Sequence, residues 1–166
     1  MNDMSILKFV GSTPRNLQEM FDYMTDEDKT NETCLFGIGV NPANAVYEMQ
    51  LVQRLNGRYN LIHEYKQIIF SFDDSLNSDV DLIKEVCQRI GEILIVDNRQ
   101  VFGAIHGLGT NRIHCHYMIN YVGIDGQLFK QIYSVHHYKK LVNDILLDYG
   151  LTPINYFESV PWKIII

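Results

Sequence analysis

Two strand-like runs, Val101 to His106 and Ile113 to Tyr121, flank the turn Gly107-Leu108-Gly109-Thr110-Asn111, and this segment constrains the fold more than any other. Alternating runs joined by a short glycine-bearing turn predict an antiparallel hairpin. A hairpin excludes an all-helical bundle and a purely parallel sheet, so the chain must build a sheet with antiparallel neighbours.

The flanking sequence supplies the rest of the layer. Ser5 to Val10 reads as a strand, and Ser12-Thr13-Pro14 is a cap candidate for a helix carrying Leu17, Met20, Phe21 and Met24. Thr25 to Asn41 is polar and contains glycine, which predicts a long loop before Asn41-Pro42 opens a second helix through Val46, Met49, Val52 and Leu55. Gln67 to Phe72 is a strand with Ile68, Phe70 and Phe72 on one face and Gln67, Ile69 and Ser71 on the other. Ser78-Asp79 caps a third helix whose stripe is Ile83, Val86, Cys87, Ile90 and Leu94. After a turn at Gly123 to Gly126, a last helix runs through Val135, Tyr138, Leu141, Val142, Ile145 and Tyr149 to Gly150, and Trp162 to Ile166 reads as a final strand. The predicted architecture is α/β (α+β): a single domain over residues 1–166 with a central antiparallel sheet, helices mainly on one face and the other face free.

Charge narrows the partners. The chain carries a net −6, which argues against a general nucleic-acid coat or a membrane-surface protein. Residues 98–143, however, hold five basic side chains, one acidic side chain and five of the six histidines, so an anionic partner is expected there. Three cysteines without a CxxC spacing argue against a disulfide framework and fit a reducing cytosol. With no basic leader, no cleavage site and no run long enough to span a bilayer, the expectation is a soluble, cytoplasmic protein without membrane insertion.

The hairpin also concentrates the chemistry. In Ile113 to Tyr121, strand alternation puts His114, His116, Met118 and Asn120 on one face and the core-like Ile113, Cys115, Tyr117 and Ile119 on the other. Imidazoles at i and i+2 reach one ion together, and His106 on the adjoining strand is placed to supply a third ligand. An HxH pair alone is more often two exposed strand residues, and a histidine beside a turn often only makes a hydrogen bond. Both readings stay open on the residues alone.

His106 followed by His114-Cys115-His116-Tyr117-Met118-Ile119-Asn120 resembles the three-histidine motif of conjugative relaxases of the MobA/MobL type, which are HUH endonucleases; the T-DNA border endonuclease is similar. Other family marks fall in order: Asp22-Tyr23-Met24, Asp28-Lys29-Thr30, Ile68-Ile69-Phe70-Ser71-Phe72 and Tyr149-Gly150-Leu151. The resemblance implies a nuclease that nicks single-stranded DNA at a transfer origin, with Tyr23 as the nucleophile that becomes joined to the 5'-phosphate. It implies a divalent ion on His106, His114 and His116, with Mn2+ or Mg2+ in use and Zn2+ or Ni2+ also suited to imidazole. Ser71 matches a family serine near bound DNA, while Arg112, Asn120, Lys139 and Lys140 are candidate DNA contacts. Accessory mobilisation proteins and a secretion system are the implied partners in plasmid or conjugative-element mobilisation.

Two positions depart from the pattern. Leu108 stands where the family usually has an acid two residues after its first histidine, which leaves open what supports His106, and Gln67 stands where a histidine often precedes the Ser-Phe strand. The alternatives are a relaxase-like DNA-binding accessory or regulatory protein that does not cut, and a metal-dependent hydrolase of small phosphate esters.

Overall fold

The computed structural model describes residues 5–11, 16–73, 79–94 and 98–154. Five strands, β1 (Ile6–Phe9), β2 (Leu35–Ile38), β3 (Tyr65–Ser71), β4 (Val101–His106) and β5 (His114–Asn120), form one sheet in the order β1-β3-β5-β4-β2. Every neighbouring pair is antiparallel. Four helices complete a single α+β domain: α1 (Leu17–Met24), α2 (Ala45–Leu55), α3 (Val80–Leu94) and α4 (Val135–Asp148).

The predicted hairpin is β4 and β5, with His106 opposite His114 at its closed end. Gly107 takes φ 78° there, a left-handed conformation that costs glycine little. Two local expectations change. The stretch from Thr25 to Asn41 is not one loop, because it contains a 3-10 turn, Glu32–Cys34, and the edge strand β2. The cap of α1 is Asn16, whose side-chain oxygen accepts from the Glu19 amide at 2.8 Å; Ser12-Thr13-Pro14 lies outside the described residues. The proposed strand Trp162 to Ile166 also lies outside them.

The sheet separates two cores. On one face α3 and α4 bury Ile83, Val86, Cys87, Ile90, Tyr138, Val142 and Leu146 against Ile68, Phe70, Ile105, Cys115 and Tyr117, as the predicted stripes require. The opposite face is not free as expected. There α1 and α2 bury Leu17, Met20, Met24, Val46 and Met49 against Phe102, Ala104 and Met118. Four of the six methionines lie in this smaller core, where an unbranched side chain fills irregular gaps between short helices and the sheet. The covering helices sit over the β5 and β4 side, whereas Ile6 and Lys8 on β1 are exposed and Ile69 and Ser71 on β3 are half-buried. The working face is therefore half roofed and half open, and the three histidines lie at the edge of the roof.

Candidate metal and nucleophile site

Strand register alone brings the histidines together. His106 is the Cα partner of His114, and Ala104 that of His116, so all three side chains project from the same face of adjacent strands. Their ring centroids are 5.4 Å (His106 to His114), 4.5 Å (His106 to His116) and 5.0 Å (His114 to His116) apart. One ring nitrogen from each lies within 4.8 Å of the other two, which makes a three-nitrogen set able to hold a metal ion. The cysteines stand apart from it: Cys34, Cys87 and Cys115 are all buried thiols, and burial pushes Cys87 well above its ordinary range.

Each imidazole is oriented by a contact on its far side. Nε2–H of His106 donates to the Met24 carbonyl at 2.7 Å, which leaves Nδ1 with its lone pair. Nδ1–H of His114 donates to the Arg112 carbonyl at 2.8 Å, which leaves Nε2. Nδ1 of His116 lies 3.1 Å from the Gln67 side-chain amide nitrogen, and the buried Nε2 of His116 has no hydrogen-bond partner among the described residues. An orphaned buried nitrogen is costly as a mere polar group and is what a metal ligand requires. The donor set fits a divalent ion of the imidazole-binding kind, and the residues that would hold it are His106, His114 and His116.

Electrostatics point the same way. Burial pushes His116 down to about 3, with the neighbouring His106 and His114 and the Lys29 ammonium adding in the same direction. Burial also lowers His106, against the raising effect of its bond to Met24. Neutral imidazoles are the form that ligates a metal.

The missing acid at Leu108 now has an explanation. Leu108 packs against the core beneath the sheet, and the second contact of His106 is the backbone carbonyl of Met24, 82 residues away in sequence. That carbonyl belongs to the last residue of α1, so one hydrogen bond ties the triad to the helix that carries Tyr23. The Tyr23 ring lies 5.6 Å from that of His116, perpendicular to it, and 6.2 Å from that of His106.

Two further residues were unassigned by sequence reasoning. Lys29 places its ammonium 3.8 Å from the centre of the Tyr23 ring and 3.9 Å from Asp26. Thr30 donates its hydroxyl to the Ile105 carbonyl at 2.7 Å and so anchors the segment after α1 beside His106. The run Asp28-Lys29-Thr30 was visible in sequence, but its purpose depends on contacts across some 75 positions of chain.

The expected DNA contacts divide. Ser71 is the Cα partner of His114 and stands half-buried beside the triad on the open side. Arg112 is exposed in the turn leading into His114. Asn120 is displaced from that role: it is fully buried at the far end of β5, and its amide bonds Gln53, Gln100, the Met49 carbonyl and the Val122 amide. Lys139 and Lys140 lie on α4, in the layer across the sheet from the histidines.

A five-stranded antiparallel sheet carrying three converging histidines beside a helix-end tyrosine defines a relaxase-type nuclease domain. The chain belongs to the MobA/VirD2-like relaxases, whose nuclease domain it matches over residues 23–151. Its fold is similar to a solved structure described as "Molecular Basis of Vancomycin Resistance Transfer in Staphylococcus aureus", at 13% identity and a TM-score of 0.50, with 73% of each chain covered. No curated protein matches the chain in sequence.

Proposed function

We propose that this chain is a metal-dependent relaxase that nicks one DNA strand at a transfer origin, using Tyr23 as the nucleophile. The observation that carries the reading is the placement of the Tyr23 ring 5.6 Å from the His116 ring, a nucleophile type and a metal-ligand set brought together from distant parts of the chain. The Tyr23 oxygen forms a bond to the scissile phosphorus while the bond from phosphorus to the 3' oxygen breaks. The phenol gives up its proton, the departing 3' oxygen takes one up, and the products are a 5'-phosphotyrosine and a free 3'-hydroxyl. His106, His114 and His116 would hold a divalent ion, which when bound would supply polarisation of the phosphate and neutralisation of charge in the transition state. The protein's own share is to hold three neutral imidazoles, to set Tyr23 against them through α1, and to keep the β1 and β3 side open for the strand. Ser71 and Arg112 are the contacts proposed for that strand, in a single relaxase domain acting in the cytoplasm.

Plasmid or conjugative-element mobilisation with accessory proteins and a secretion system is the setting this reading implies. Incubation of the protein with Mn2+ and single-stranded oligonucleotides spanning the transfer origin should yield protein carrying the mass of a cleaved fragment on the Tyr23 peptide. A mass shift on a different tyrosine would remove Tyr23 from the role. Tight DNA binding with no cleavage in any metal would instead establish the non-cutting alternative. The bond from His106 to the Met24 carbonyl supports the cutting reading, because it supplies the orienting contact that the departure at Leu108 left open.

A further inference from the structure

We infer that Gln67 is a positioning residue that selects the tautomer of His116, accepting a hydrogen bond from Nδ1–H through its Oε1 so that the Nε2 lone pair faces the metal site. The inference rests on the three-histidine metal reading. Gln67 sits on β3 opposite Met118, diagonal to His116 across the β3 and β5 pair, within reach of a long side chain. Both residues are buried, Gln67 at 8% and His116 at 4% exposure, so no bulk water competes for the contact. The Gln67 amide nitrogen lies 3.1 Å from Nδ1 of His116, a half-turn of the amide away from presenting Oε1 to the same atom, and Nε2 of His116 is the orphaned atom.

Chemistry decides the amide's orientation. A neutral imidazole carries one N–H. If the Gln67 –NH2 donates to Nδ1, the proton must sit on Nε2, buried, without an acceptor and aimed at two other imidazoles. If Oε1 faces His116, the proton sits on Nδ1 and is satisfied, and Nε2 becomes a ligand lone pair. Only the second arrangement pairs the buried proton of His116 and also leaves its Nε2 lone pair for a metal. A glutamine can do either by rotating its amide, whereas an apolar side chain can do neither.

The test is calorimetric titration of Mn2+ alone into the wild-type chain, Gln67→Met and Gln67→Glu, with 15N spectra of the histidine rings in the Zn2+-loaded protein. Gln67→Met, similar in length but without an acceptor, should weaken Mn2+ binding by about 10- to 100-fold. Gln67→Glu, which keeps an oxygen at that position, should restore binding to the wild-type level or better. The wild-type spectrum should show His116 protonated on Nδ1 and metal-bound through Nε2. Mn2+ binding by folded Gln67→Met within twofold of wild type overturns the inference, as does a spectrum with His116 protonated on Nε2. Equal losses in Gln67→Met and Gln67→Glu also overturn it, since loss of packing alone would then explain both. In all these cases wild-type binding leaves the triad standing, whereas a wild-type chain that binds neither Mn2+ nor Zn2+ overturns the triad and with it the role of Gln67.

Discussion

Because burial and two neighbouring imidazoles hold His116 down to about 3, a proton does not compete with a metal for its lone pair near neutral pH. The same shift makes a stability prediction. An unfolded histidine takes up its proton near 6.5, so between that pH and about 3 the unfolded chain binds more protons than the folded one, and stability falls as pH drops through this window. His106 is shifted in the same direction. Denaturant unfolding of metal-free protein at pH 8, 6 and 4 should show that decline, with a shallower slope in His116→Gln; equal slopes would mean that other groups dominate. Adding Mn2+ at about 100 times its dissociation constant should raise stability by about 2.7 kcal/mol, a gain His116→Ala should lose. Tyr23 makes the complementary case. Tyr23→Phe keeps the ring beside His116 but removes the attacking oxygen, so it should retain Mn2+ and DNA binding while losing the covalent adduct altogether. Tyr65, on the same strand as Ser71, is a poor alternative nucleophile: it is buried opposite Asn120, six strand residues and roughly 20 Å from the end of β3 that faces His114.

The elements differ in how openly the chain announces them. β3 and β5 were legible because alternation sorts their residues between two faces, and α3 because its stripe at helical spacing is fully buried. The histidine cluster was legible for a related reason, since a hairpin whose strands are joined by only the seven residues 107–113 fixes which residues stand opposite. β2 was not legible. Its four residues, Leu-Phe-Gly-Ile, lack an alternating pattern, and its glycine and short length suit a loop equally well. What makes it a strand is tertiary: Phe36 lies opposite Gly103, so close that any side chain at 103 would collide with its ring, and it meets Tyr117 edge-on at 6.1 Å. Phe36→Ala should therefore cost about 3–5 kcal/mol in urea unfolding, because it empties a site that the backbone of β4 has been shaped to receive. A cost below about 1 kcal/mol would show that β2 contributes little to the fold. The roof formed by α1 and α2 was equally hidden. Their amphipathic spacing shows that each needs a surface, but not that it is the face bearing the histidines.

At the scale of the whole molecule, the half-roofed sheet limits the path open to the strand in the proposed function. A chain at −6 must bind DNA through local charge, and the basic residues do not all serve that end. Arg99, within the positive segment, is buried and spends its guanidinium on the carbonyls of Tyr121 and Leu128. Lys139 and Lys140 lie beyond the sheet, on α4. On the open side Lys8 projects from β1 as the Cα partner of Ile69, which in turn faces His116, and Arg112 flanks His114, so the proposed function predicts a phosphate path along Lys8, Ser71 and Arg112 past the triad. Each phosphate contact on a single strand contributes about 0.7 to the slope of log affinity against log salt. Lys8→Ala combined with Arg112→Ala should thus weaken binding of a single-stranded oligonucleotide and reduce that slope by about 1.4, measured by fluorescence anisotropy between 50 and 200 mM salt. Lys139→Ala combined with Lys140→Ala should leave the slope near the wild-type value. The reverse outcome, with the α4 pair setting the salt dependence, would put the DNA on the opposite layer and separate binding from the histidine face.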